Sequence, residues 1–327
     1  MKILTIVVPT YNVEKYLNQC LESFVIPEIM EDLEVLIIND GSTDTSSSIG
    51  QSFANEYPDS FRLITKENGG HGSTINKGIE EAVGKYFKVV DGDDWILKEG
   101  LIKLITFLKK VDTDLVLNNY YWINDSTGEK SCEVDQVCPG IPYGQEVPFV
   151  NVIEKIFFKM HAITYRTNIL RNIPEKIDEH CYYVDMEYMM FPLPYIKTVS
   201  VIADYVYMYR IGQPTQSVSI ENMKKRCNQH ERVVNRLLDY YTKYASLSEA
   251  AGKCMTKIIA RSITSQYKIY LSFDESQSER LIQLERMLKL HYISIYKMIS
   301  HPAIRLLRIT NYRLYFLISK AVRYRLN

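Results

Sequence analysis

The chain has 327 residues, 46% hydrophobic and 24% charged, with 39 basic residues balancing 39 acidic ones. That length supports about two or three domains with a real core. A formal charge of zero gives no sign of nucleic-acid binding, and no uninterrupted apolar stretch reaches the roughly 20 residues of a membrane span.

The N-terminal "MKILTIVVPTYN" carries one charge and a short apolar run closed by Pro9 and Asn12, so it reads as a first strand over 3–8 and not as a signal peptide. Apolar runs follow at 33–38 (LEVLII), 61–65 (FRLIT) and 86–90 (YFKVV), separated by amphipathic stretches at 14–26, 44–57 and 73–83. This alternation predicts α/β architecture, with βαβ units on a mostly parallel sheet. Ligands of such sheets bind beyond the carboxyl ends of the strands, and the clusters "PTYN", "NDGSTD", "ENGGHGS" and "DGDD" fall at those ends. A helix is expected near 98–110 and a strand over 113–123 (TDLVLNNYYWI); residues 124–148 read as a polar loop or excursion. From about 150 the pattern turns helical, a strand-like stretch follows at 198–211, and 221–327 reads as a helical C-terminal region whose only Gly and Pro are Gly252 and Pro302. The expected divisions are 1–123, 124–220 and 221–327. The six cysteines show neither CxxC spacing nor a zinc pattern, which points to reduced thiols in a cytosolic protein.

Four constellations carry chemistry. In "DGDDW", Asp91, Asp93 and Asp94 close an apolar strand, and Gly92 lets the turn approach a ligand. Hard divalent cations bind where one or two carboxylates meet a substrate's phosphates; a solvated turn capping the next helix is the plainer alternative. In "NDGSTDTS", Ser42, Thr43 or Asp44 can cap a helix, while Asp40 at a strand end can accept a hydrogen bond from a nucleotide base and Tyr11 can stack on a planar ring. The loop "ENGGHGSTINKG" offers Asn68, Gly70 and backbone N–H groups to phosphate; His71 reads either as ligand-facing or as a polar loop residue. In "CYYVDMEYMMFPL", Asp185 and Glu187 are acids in an apolar run, where an unpartnered buried charge is costly.

The blocks "ILTIVVPTYNVEKYLNQCLESF", "LEVLIINDGSTDTS", "ENGGHGSTINKGIEEAVGKYFKVVDGDDW" and "VDMEYMMF" resemble, in order and spacing, the inverting family 2 glycosyltransferases. The resemblance implies a GT-A nucleotide-binding sandwich, dependent on Mn²⁺ or Mg²⁺, followed by a variable acceptor region. By position it implies that Pro9, Thr10 and Tyr11 line the base and ribose pocket, that Asp40 reads the base, and that Asp91 contacts ribose or donor sugar. It further implies Asp93 as a metal ligand with Asp94 beside it, and Asp185 as catalytic base with Glu187 in reserve. "YMYRIGQPTQSVS" resembles the family segment near the donor pyrophosphate, which makes Arg210 and Ser217 candidates there. Three positions depart from the family pattern: Asn39 for the first acid of "DDGS", Ile75 for an Arg, and Val184 for the Glu before Asp185. The change at Ile75 moves phosphate or sugar contacts to other groups, His71 or Arg210.

The resemblance thus implies a metal-dependent transfer from a nucleotide-diphosphate sugar, a UDP-sugar first, to a hydroxyl of a glycan, lipid-linked glycan or glycoprotein acceptor. A non-catalytic glycan-binding scaffold and a sugar nucleotidyltransferase are the alternatives; the latter's basic Gly-rich N-terminal loop is absent from "VVPTYNVEKYL". His161, in 150–170, reads either as acceptor-facing or as a core histidine. Residues 302–327 carry six basic residues and no acid. They read as an amphipathic cationic helix, fit for peripheral contact with an anionic membrane surface, for a protein partner including a second copy, or for packing on its own domain. The expected location is cytoplasmic, at or near the inner face of the cell membrane.

Overall fold

The computed structural model describes residues 2–213, 219–273 and 275–326. The chain divides into two compact units, 1–213 and 214–327.

The first unit contains strands β1 (Leu4–Thr10), β2 (Leu33–Asn39), β3 (Phe61–Thr65), β4 (Tyr86–Val89), β5 (Trp95–Ile96), β6 (Leu115–Asn124), β7 (Lys130–Ser131), β8 (Glu146–Pro148), β9 (Ile163–Arg166) and β10 (Thr198–Ile211). Its helices are α1 (Glu14–Glu22), α2 (Ser46–Glu56), α3 (His71–Glu81), α4 (Lys98–Leu108), α5 (Thr167–Arg171) and α6 (Asp185–Met190). All strands join one sheet in the order β3-β2-β1-β4-β9-β6-β10-β5, with β7 on β6 and β8 on β10. The long ladders are parallel, as expected: β1 with β2 and β4, β2 with β3, and β6 with β10. Every residue of β1 and β2 is buried, which is why both read as continuous apolar runs.

β9 pairs antiparallel with both β4 and β6. Two reversals return β6 to the direction of β4, so β6 and β10 end at the same edge as β1 to β4. The carboxyl edge thereby gathers Thr10, Asn39, Thr65, the acidic turn after β4, and the end of β10. The helical pattern expected from about 150 is not what forms. Residues 149–166 fold as 3₁₀ turns at Phe149–Asn151 and Met160–Ala162 followed by β9. Tertiary bonds decide this: the Lys88 ammonium in β4 donates to the carbonyls of His161 and Ile163, taking acceptors a helix would use.

The second unit is helical, as its composition predicts: α7 (Ile220–Lys225), α8 (Cys227–Tyr244), α9 (Glu249–Ser272), α10 (Ser278–His291), α11 (Ile293–Met298), α12 (Pro302–Ile309) and α13 (Tyr315–Leu326). α9 is its centre, burying Met255, Ile259, Ile263, Tyr267 and Tyr270. The single cationic helix expected over 302–327 is two helices, separated where Asn311 and Tyr312 take positive φ. Arg308 turns inward, bonding Glu285 at 2.7 and 2.8 Å. No helix among the described residues is long and apolar enough to cross a membrane.

Candidate functional site

At the end of β2, Asp40 is 2% exposed. Its Oδ1 accepts the Gly69 N–H at 2.9 Å and the Lys66 ammonium at 2.8 Å; Oδ2 accepts the Gly70 N–H at 2.7 Å. Lys66 also donates to Ser73 Oγ at 2.8 Å. The glycine loop, a shape suited to anions, thus holds the chain's own carboxylate. Gly70 has φ of +83°, and a Cβ there would lie 3.3 Å from the His180 nitrogen, so only glycine fits both conformation and space. Asn39, where the family has an acid, accepts the Ser42 N–H at 3.0 Å and donates to Thr65 Oγ1 at 3.4 Å. A neutral amide here avoids a second buried carboxylate beside Asp40.

The segment after β1 is locked to the segment after β2. Asn12 Oδ1 accepts the Thr43 N–H at 2.8 Å, and Asp44 accepts the N–H groups of Glu14 at 3.1 Å and Ser46 at 2.9 Å. Asp44 therefore serves the starts of both α1 and α2. Pro9 and Thr10 are buried beneath, and the Tyr11 ring stays 50% exposed at the rim.

The turn at 91–94 closes with Asp94 N–H donating to the Asp91 carbonyl at 2.9 Å. Gly92 lets the turn pack closely: a Cβ would stand 3.0 Å from the Pro9 carbonyl and from Val13, so its neighbours would have to give way. Asp94 is 1% exposed; its Oδ2 accepts the Tyr207 hydroxyl at 2.6 Å and its Oδ1 the Arg210 N–H at 2.7 Å. Burial first, then Asp93 and Asp91, push its carboxyl well above the carboxylate range. Burial and Asp91 raise Asp93 to about 6. Asp91 Oδ1 meets His71 Nε2 at 2.8 Å. Burial works to raise Asp91, but His71 holds it below its ordinary 3.8. Burial likewise opposes the His71 charge, and Asp91, Asp185 and Asp93 outweigh it and raise His71 above 6.5.

Arg210 was expected at the donor pyrophosphate. It is 8% exposed, its guanidinium over the rings of Tyr16 and Trp95 with centroid distances of 4.5 and 4.7 Å. It donates to the Asp93 carbonyl at 2.8 Å, Asp125 at 2.8 Å and Gln19 at 2.6 Å. These bonds hold the acidic turn in place. Ser217 lies outside the described residues.

Asp185 opens α6. Burial raises its carboxyl, His71 and Lys159 oppose the rise, and Asp91 adds to it, so Asp185 lies within the electrostatic reach of the turn. Glu187, the reserve base, is fully buried and accepts the Asp178 N–H at 2.7 Å. It lines a separate cavity of about 470 Å³ along α3, with Asn76, Leu170 and Ile177 among its walls. That cavity contains none of the acidic turn.

His161 is 8% exposed and its ring stacks on Tyr209 with a centroid distance of 4.1 Å. Burial lowers its pKa to about 3, so the ring is neutral. One ligand-capable atom each from Asp91, Asp94 and His161 lie within 4.8 Å of one another. Two crowded carboxylates, a neutral imidazole and this spacing fit a divalent cation.

Several groups escaped the sequence reading. Lys66, in "TKENGG", carried no motif, and Tyr207, which organises Asp94, opens the segment "YMYRIGQPTQSVS" but was not singled out in it. Lys88 did leave a signal, a cation inside the apolar run "YFKVV". It is fully buried, donates to Asn118 Oδ1 at 3.1 Å and to two carbonyls at 3.0 and 3.1 Å, and burial lowers its pKa to about 7.

The family model of glycosyl transferase family 2 matches residues 5–173, just over half of the 327-residue chain. The chain belongs to that family. Among curated relatives, it is 31% identical over 229 residues to the poly(ribitol-phosphate) beta-glucosyltransferase of Bacillus spizizenii, covering 66% of this chain and 33% of that protein. It is 37% identical over 125 residues to the glycosyltransferase GlyA of Streptococcus pneumoniae, covering 38% of this chain and 18% of that protein. The chain thus spans less than half the length of these relatives. S. aureus TarS 1–349, solved with UDP-GlcNAc, superposes with a TM-score of 0.68 at 20% identity, over 99% of this chain and 92% of that one. The mannosyltransferase PcManGT from Pyrobaculum calidifontis, solved with GDP-Man and Mn²⁺, gives 0.50 at 14% identity, over 98% and 86%. Likeness at these identities is one of fold, the GT-A sandwich.

Proposed function

We propose that the chain transfers a sugar, with inversion, from a nucleotide-diphosphate donor to a hydroxyl of a glycan acceptor. One observation carries this reading: Asp91, Asp93, Asp94 and His71 cluster at the carboxyl edge of the sheet, with Asp185 in electrostatic reach. A UDP-sugar is the donor we favour, supported by the UDP-GlcNAc held by TarS. Tyr11 stacks on the base above Pro9 and Thr10, and Asp40 shapes that pocket by fixing Asn68, Gly69 and Gly70, not by an open acceptor. Asp91 and His71 face the ribose and donor sugar. The carboxylates of Asp91, Asp93 and Asp94 together would hold Mn²⁺ or Mg²⁺, which when bound would neutralise the diphosphate leaving group.

Asp185 accepts the proton of the acceptor hydroxyl as its oxygen attacks the anomeric carbon. The bond from that carbon to the diphosphate oxygen breaks, and the nucleoside diphosphate leaves with the electron pair. One base suffices for this single displacement. Burial raises the basicity of Asp185, which suits a general base. Val184, in place of an acid, leaves no second carboxylate directly before it.

We place the acceptor among cell-surface glycans, lipid-linked or protein-linked, and the enzyme at the inner face of the cell membrane. Exposed Ile309, Phe316 and Leu317 occur with exposed Arg305, Arg313 and Lys320 in the C-terminal unit, a combination suited to anionic lipid. A donor screen that follows nucleotide release with Mn²⁺ tests the enzymatic reading. Release from one class of nucleotide sugar supports it; tight nucleotide binding with no turnover of any donor means a binding scaffold instead.

A further inference from the structure

The His161 ring has no partner for its Nδ1 although the residue is 8% exposed. Buried polar atoms are satisfied in native interiors, and an exception calls for a reason. The groups around it are committed elsewhere. Tyr207 donates to Asp94 at 2.6 Å, Tyr120 donates to Glu133 at 2.5 Å, and Tyr209 stacks on the ring face. The ring is also held, not loose. The His161 carbonyl accepts the buried Lys88 ammonium at 3.0 Å, and ring centroids of Tyr207 and Tyr209 stand 4.7 and 4.1 Å away. A ring nitrogen of His161 and one oxygen each of Asp91 and Asp94 lie within 4.8 Å of one another, so the ring is fixed beside two carboxylates.

We propose that His161 is a nitrogen ligand of the divalent cation at the acidic turn, where it joins Asp91 and Asp94. The inference rests on the metal-dependent reading above and adds a consequence to it. Imidazole suits transition metals, whereas Mg²⁺ takes oxygen ligands and keeps its waters. His161 therefore biases the site toward Mn²⁺ over Mg²⁺. It enters from the loop preceding β9, not from the acidic motif, so the motif alone does not reveal it. Lys88 and Asn118, which bond the His161 carbonyl, are positioning residues for it.

The test is pulsed electron paramagnetic resonance of Mn²⁺ bound to the full chain in the presence of UDP. Phosphorus coupling reports that the ion meets the diphosphate, and nitrogen modulation reports an imidazole ligand. We expect both in the wild type, loss of nitrogen modulation alone in His161→Gln, and its retention in His71→Gln. His161→Gln should also weaken Mn²⁺ by about 10- to 100-fold, the scale seen when metal-site partners are lost, while Mg²⁺ affinity changes less. Should His161→Gln not fold, the wild type and His71→Gln still decide, since the metal-capable trio has no other histidine. Phosphorus coupling without nitrogen modulation overturns the assignment of His161 and leaves the transferase reading intact. No Mn²⁺ bound beside UDP overturns both the assignment of His161 and the metal dependence it rests on.

Discussion

Asp40 closes the glycine loop from within, its Oδ2 accepting the Gly70 N–H at 2.7 Å while Oδ1 takes Gly69 and Lys66. The strand end and the loop before α3 are therefore one rigid wall of the site. Asp40→Asn keeps the shape but sets an amide N–H₂ against a donor. The expected loss is about 1–3 kcal/mol, the cost of an unsatisfied buried group, seen as a lower melting temperature together with weaker nucleotide binding. An unchanged melting temperature contradicts this role.

Asp185→Asn should keep donor binding and lower transfer by about 10²- to 10⁴-fold, the range for a general base. Glu187→Gln keeps an acceptor for the Asp178 N–H and should alter transfer little. Single-turnover rates with nucleotide affinity measured in parallel separate the two. Loss of donor binding in Asp185→Asn means that its carboxylate serves the donor and not the acceptor.

The raised Asp93 gives a pH dependence of known sign. Its folded pKa of about 6 lies above the ordinary 3.8, so the folded state holds this proton more tightly than the unfolded one. Stability from this group is present at low pH and falls as pH rises through that window. A cation that neutralises the turn restores it. The rise in melting temperature on adding Mn²⁺ should be larger at pH 7.5 than at pH 5, and Asp93→Ala should remove most of it. An equal rise at both pH values contradicts the account.

Lys88 gives the opposite trend in a higher window. Burial lowers it from 10.5 to about 7, so between these values the unfolded chain binds more protons and stability from this group rises with pH. Denaturant unfolding of wild type and Lys88→Met should show their difference growing from pH 7 to 9 by on the order of 2 kcal/mol. A constant difference would mean that Lys88 does not titrate there.

Much of this was legible beforehand, and for identifiable reasons. Strands β1 to β4 announce themselves because buried parallel strands read as unbroken apolar runs, and their polar ends mark the carboxyl edge. β9 was illegible because it is four residues long and is formed by neighbours, β4 and β6, distant in sequence. Asp91, Asp93 and Asp94 were found through local spacing. The partners of Arg210 were not, because Gln19, Asp125 and the Asp93 carbonyl converge only after the sheet orders itself. The departure at Asn39 became intelligible once Asp40 proved buried: one carboxylate at that strand end is already held by the loop, and a second beside it would crowd like charge in a buried place.

The central claim is that a cation and the donor diphosphate meet at the acidic turn. Calorimetric titration of UDP into the chain, with Mn²⁺ and with a chelator, tests it most directly. The account predicts binding that is strengthened by Mn²⁺ in the wild type and loses that dependence in Asp93→Ala. UDP binding of equal strength with metal and with chelator would contradict it.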